Sequence, residues 1–95
     1  MAGTIEGSVV SIAENGNLVS DISADRLKGI PSDASITVLC DEHETTGIFE
    51  QDHDQPESTF IAVVGQSGSL ELEIVGLEAN LMLGIQVGEK VVVRW

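Results

Sequence analysis

Two short runs, Asp41-Glu42-His43-Glu44 and Asp52-His53-Asp54, hold the residue types that bind divalent cations: carboxylate oxygens and imidazole nitrogens. Their spacing matches neither a closed zinc pattern nor a calcium loop. Solvated loop carboxylates account for them as well, and no metal ligand is assigned. Cys40 and His43 are the types that make a thiolate nucleophile and its base, but an offset of three on an extended strand sends their side chains to opposite faces. With no third group to orient them, Cys40 reads as a small buried thiol. The chain contains no glycine-rich phosphate loop ahead of a helix and no defensible acid–base pair, so no catalytic residue and no cofactor is expected.

The elements that would position any site come from a chain of 95 residues, 42% hydrophobic and 21% charged, the size of one domain. Such a chain buries only about 60–65% of its unfolded surface, so its core is thin and association would add burial. Sixteen acidic against four basic residues give a formal charge of −12, which repels nucleic acid and anionic membrane surfaces. The cations Arg26, Lys28, Lys90 and Arg94 leave positions 29 to 89 without a Lys or Arg. That stretch is a solvated, self-repelling surface or a docking face for a basic partner. No apolar run approaches the roughly 20 residues that span a bilayer as a helix. A single cysteine and the lack of a charged-then-apolar leader suggest a cytoplasmic location.

Apolar residues fall in short runs separated by Gly, Asn, Asp and Ser, the pattern of many short strands. Strands are expected at Ile5–Ile12, Asn17–Ile22, Ser35–Leu39, Thr45–Phe49, Thr59–Val64, Leu70–Ile74 and Val91–Trp95. Asn15-Gly16 supplies positive φ angles for a first hairpin, and Gln66-Ser67-Gly68-Ser69 turns a second. Ser23 caps one helical turn ending before Gly29 and Pro31, Asp41–Glu44 and Asp52–Ser58 are loops, and Leu77–Leu83 forms a helix of about two turns stopped by Gly84. In Leu70-Glu71-Leu72-Glu73-Ile74 the strict alternation buries the apolar face and turns both glutamates to water or a partner. These elements make an all-β fold, a small antiparallel barrel of about seven strands with one short helix. Its core draws on Val9, Ile12, Leu18, Ile22, Ile36, Val38, Ile61, Val63, Leu70, Leu72, Ile74, Leu83, Val91 and Val93.

Three segments, in order, carry a family likeness. They are Gly7–Ile12 running into Asn15-Gly16-Asn17-Leu18-Val19-Ser20-Asp21-Ile22, Gly65–Ile74 with its Ser67-Gly68 turn and Leu-Glu strand, and Glu78-Ala79-Asn80-Leu81-Met82-Leu83-Gly84 followed by Val87–Val93. Together they resemble the C-terminal domain of the S-adenosylmethionine hydroxide adenosyltransferase family, whose relatives include the bacterial fluorinase and chlorinase. The resemblance implies a β domain that helps wall an adenine site at a subunit interface of a trimer, while a separate N-terminal domain activates water or halide. The chain should then not catalyse adenosyl transfer by itself. By the same resemblance the adenine-facing positions are Asn17, whose carboxamide offers a donor and an acceptor, Ser67 and Gly68 at a hairpin tip, and Glu78 and Ala79 at the helix start. Asn17 equally suits a plain turn. Asn15 stands where the family has an aromatic, and Glu78 where it has asparagine.

The expected function is a non-catalytic binding or assembly module that self-associates as a homo-oligomer or docks to a protein partner. The alternative is binding of an adenosyl-containing small molecule, as one half of a split enzyme.

Overall fold

The structure, a computed structural model, describes residues 3–95. Among these residues eight strands form one sheet: β1 (Thr4–Ile12), β2 (Leu18–Ser23), β3 (Thr37–Cys40), β4 (His43–Thr46), β5 (Ile48–Glu50), β6 (Phe60–Val64), β7 (Ser69–Ile74) and β8 (Lys90–Arg94). A 3-10 turn (Ala24–Leu27) follows β2, and a helix, α1 (Ala79–Leu83), precedes β8. The strand order is β4-β3-β8-β1-β2-β7-β6-β5. Because β4 runs into β5 through Gly47 alone, the two ends of this order meet. The Thr45 hydroxyl donates to the Phe60 carbonyl at 2.9 Å across the seam, and the sheet rolls into a nearly closed all-β barrel.

The expected Thr45–Phe49 strand is thus two strands. Gly47, at φ 81°, takes a conformation that L side chains resist and turns a corner there. β4 pairs antiparallel with β3, whereas β5 pairs parallel with β6. His43 and Glu44, read as loop, belong to β4, and the turn shrinks to Asp41-Glu42, with Asp41 at φ 57°. Cys40 and His43 are consequently partners directly across the β3–β4 turn, rather than residues on opposite faces of one strand.

Pairing places Leu18, Leu72 and Ala62 opposite one another, and Ile5, Val93 and Val38 likewise, so these residues share the barrel interior. Val9, Ile22, Ile36, Cys40, Leu70 and Val91 complete it, with Leu83 at the end of α1 and Ile85 just beyond it packing in. Two expectations change. Ile12 is exposed, because β8 pairs with β1 only as far as Ser8 and leaves the end of β1 with β2 as its neighbour. Ile61 and Val63 are buried, but on the opposite face of β6 from Ala62.

The helix is shorter than Leu77–Leu83. Leu77 instead bridges Ile74, and Gly84 ends α1 in the left-handed conformation, its N–H donating to the Asn80 carbonyl. Ser23 makes no side-chain cap on the 3-10 turn. Among the described residues no helix is long and apolar enough to cross a membrane.

Cys40 is buried on β3, and removal from water, reinforced by Glu89 and Asp41, pushes its thiol up to about 11 from 9.0. The unfolded thiol therefore ionises first, and stability present below pH 9 is lost as pH climbs from about 9 to about 11. Cys40→Ala should flatten that alkaline limb in denaturation measured across pH. At neutral pH a thiol reagent should label Cys40 only at the rate of opening, and rapid labelling of the native chain would contradict its burial.

Candidate functional site

The first hairpin turn holds together through Ala13 N–H to the Asn17 carbonyl at 2.9 Å and Gly16 N–H to the Ala13 carbonyl at 2.9 Å. Gly16 alone has positive φ there (89°); Asn15 contributes through its side chain, whose Oδ1 accepts the Asn17 N–H at 3.1 Å. With the turn bond made by Asn15, the Asn17 carboxamide is free to reach across the sheet. Its Nδ2 donates to Glu71 Oε1 at 3.0 Å.

Glu71 stands on β7 with Val19 opposite on one side and Val63 on the other. It is only 5% exposed, against the expectation that it would face water or a partner. Its second oxygen accepts the Ser67 hydroxyl at 2.7 Å, and Ser67 Oγ in turn accepts the Ser69 N–H at 3.3 Å, so the β6–β7 hairpin grips the carboxylate. Gly65 makes room for it, since a Cβ there would collide with the Glu71 carboxylate. The neighbouring Glu73 lies 3.6 Å from His53 Nε2, which brings the 51–58 loop over this face of the sheet.

Between that loop and the two hairpin turns lies a cleft of about 510 Å³ lined by Asn15, Asn17, Val19, Val63, Ser67 and Glu71 among others. A second cleft, of about 440 Å³, adjoins it across Asn15, Asn17 and Glu73 and ends at Leu77 and Glu78. The helix start is locked to the first turn: Asn80 N–H donates to the Gly16 carbonyl at 3.0 Å, and Gly16 packs on the Glu78 backbone.

Asn17, Ser67 and Glu78, separated by up to 61 positions in the chain, therefore share one groove system. Ala79 is fully buried and Gly68 sits at the open hairpin tip at φ 80°; neither lines a cleft. The alternation of β7 assigns Glu71 to water or a partner, although one signal pointed the other way. The continuous apolar run of β6 implies that both of its faces are covered, including the face that Glu71 shares.

The acidic–histidine runs do not converge. His43 packs edge-on to Phe60 with ring centroids 6.4 Å apart, while His53 packs against Phe49 and approaches Glu73. Among the described residues no group of three or more His, Cys, Asp or Glu side chains is placed to hold a metal ion.

A nearly closed small barrel whose hairpin turns and short helix frame adjoining polar clefts is the class of domain that this chain forms. It matches the SAM hydroxide adenosyltransferase C-terminal domain family over residues 7–92, and it belongs to that family. The match covers that C-terminal domain and not the family's catalytic part.

Among solved structures, an uncharacterized conserved protein from Thermotoga maritima is similar, with TM-score 0.76 and 18% identity over 93% of this chain and 34% of that one. A conserved hypothetical protein from Thermus thermophilus is also similar, with TM-score 0.68 and 20% identity over 90% of this chain and 33% of that one. The chain thus spans about a third of the length of these two structures, and at such identities the likeness is one of fold. No curated protein matches the chain.

Proposed function

We propose that this chain is a non-catalytic binding and assembly module, docking through an apolar surface beside the clefts to a second copy of itself or to another protein, in the cytoplasm. One observation carries the reading: Leu81, Met82, Val87 and Val10 are 68%, 61%, 58% and 50% exposed. They lie on segments tied together by backbone hydrogen bonds, Asn80 to Gly16, Gly88 to Val9 and Val9 to Glu89. Large apolar side chains left exposed on neighbouring segments are the kind of surface that interaction covers. The non-catalytic part of the reading is supported by a family match confined to the C-terminal domain.

Light scattering tests it. With a net charge of −12, self-association should strengthen as salt screens the repulsion between copies. The double variant Leu81→Glu, Met82→Glu should return the assembled species to the monomer mass, with stability changed by no more than about 1 kcal/mol, about 0.5 at each position, because both side chains are exposed. A monomer at every salt concentration would remove self-assembly. Failure of the chain to bind a separately supplied N-terminal domain of the family would then remove that domain as its partner.

A second reading, binding of an adenosyl-containing small molecule, is favoured by the shared placement of Asn17, Ser67 and Glu78 around adjoining clefts. Titration with adenosine and S-adenosylmethionine checks it, the expected outcome being a saturable shift of the Asn17 and Ser67 amides. Unmoved resonances at millimolar ligand would exclude it for this chain.

A further inference from the structure

The Glu71 carboxylate is removed from water, yet among the described residues it meets only neutral donors: Asn17 Nδ2 on one oxygen and Ser67 Oγ on the other. A carboxylate offers about four acceptor positions, so two remain. A buried carboxylate is ordinarily matched by a cation, because the cost of desolvating the charge is otherwise uncompensated. Neither cleft has a Lys or Arg in its lining. Arg26 and Lys28 belong to the 3-10 turn region, where Lys28 pairs with Asp25, and Lys90 and Arg94 belong to β8, where Lys90 pairs with Glu6. His53, the remaining basic group nearby, is directed to Glu73.

We infer that the cleft over Glu71 receives an organic cation, an ammonium or guanidinium group whose N–H bonds fill the open acceptor positions of that carboxylate. A metal ion fits poorly: among the described residues no group of three or more His, Cys, Asp or Glu side chains is placed to hold one, and each Glu71 oxygen already accepts a hydrogen bond, from Asn17 Nδ2 and from the Ser67 hydroxyl. An organic cation fits well. Val19 and Val63 give its methylenes an apolar wall while the charged head meets the carboxylate, and about 510 Å³ accommodates a side chain of arginine size. Glu14 and Glu73 on the same cleft add attraction without being buried. The inference does not depend on the apolar face at α1.

The test is an amide-resolved NMR titration of the intact chain with three probes: agmatine, a capped tripeptide centred on arginine, and neutral adenosine. Saturable shifts at Asn17, Ser67 and Glu71 are expected with a cation and should weaken as salt is raised. Agmatine binding indicates a free amine as the natural source, and binding of the peptide alone indicates an arginine or lysine side chain of a partner. Glu71→Gln keeps the size, its amide can still meet Asn17 and Ser67, and affinity should fall at least about tenfold with the loss of the charge-assisted bonds. Glu42→Gln, which removes one exposed charge outside both clefts, should leave cation binding in place. Equal affinity in the wild type and Glu71→Gln would overturn the inference, as would a loss in Glu42→Gln equal to that in Glu71→Gln. So would failure of both cations to bind, with or without saturation by adenosine.

Discussion

Replacing Leu72 by alanine is expected to cost about 2–5 kcal/mol of stability and to lower Tm by about 10 °C or more, since each kcal/mol shifts a domain of this size by several degrees. Leu72 is 1% exposed in the middle of β7, with Leu18 opposite on one neighbour and Ala62 on the other. Ala62 is too small to lean into the space that the leucine leaves. The barrel constrains β2 and β6 on both sides, so the hole stays open and its cost adds to the lost transfer free energy. Urea denaturation should show the midpoint falling with little change in slope. Leu81→Ala is the matched control: at 68% exposure it should move stability by no more than about 0.5 kcal/mol. Equal effects at the two positions would mean that the inward face of β7 is misassigned.

The second large effect is expected at Gly16→Ala, a one-carbon change in a surface turn. Its φ of 89° is unfavourable for any L side chain, which by itself costs about 1–3 kcal/mol. The added Cβ would also lie 2.5 Å from Glu78 Cβ and 2.6 Å from Glu78 Cα, and the backbone of the helix start cannot rotate away as a side-chain tip can. α1 must shift, and with it the Asn80 bond to the Gly16 carbonyl and the wall of the second cleft.

Gly84→Ala separates the two causes. Gly84 has a similar φ of 68°, but open space surrounds its missing Cβ. Gly16→Ala should therefore exceed Gly84→Ala by at least about 1 kcal/mol, the lower end of the usual cost of overpacking. It alone should move the amide resonances of Asn17 and Glu71. Matching stabilities with those resonances in place would show that the first turn and the helix do not depend on one another.

Much of this architecture was legible in the chain because the signals are local. Period-two alternation marks β7, the Asn15-Gly16 pair marks the first turn, and Gly84 ends the helix. Each depends on a few neighbouring residues whose backbone preferences no distant segment has to supply. The ordered short motifs from Gly7 to Val93 pointed to the family for a related reason: turns and strand ends restrict residue type wherever they recur. Asn17 and Ser67 were marked by that same likeness, because they stand at its turn positions.

Apart from the apolar run of β6, tertiary structure decided which faces are covered. Alternation states that Glu71 and Leu72 point oppositely, but whether the glutamate's side is wet depends on the 51–58 loop and two hairpin turns folding over it. Gly47 reads as one glycine in a strand until β5 has to pair parallel with β6 while β4 pairs with β3, and only that demand makes it a corner. Ile12 keeps the spacing of a core residue and is exposed because β8 has already left β1. Backbone preference acts over a few bonds and is written in order along the chain. Burial is a property of segments that meet across it, and a carboxylate becomes a buried carboxylate only once those segments have arrived.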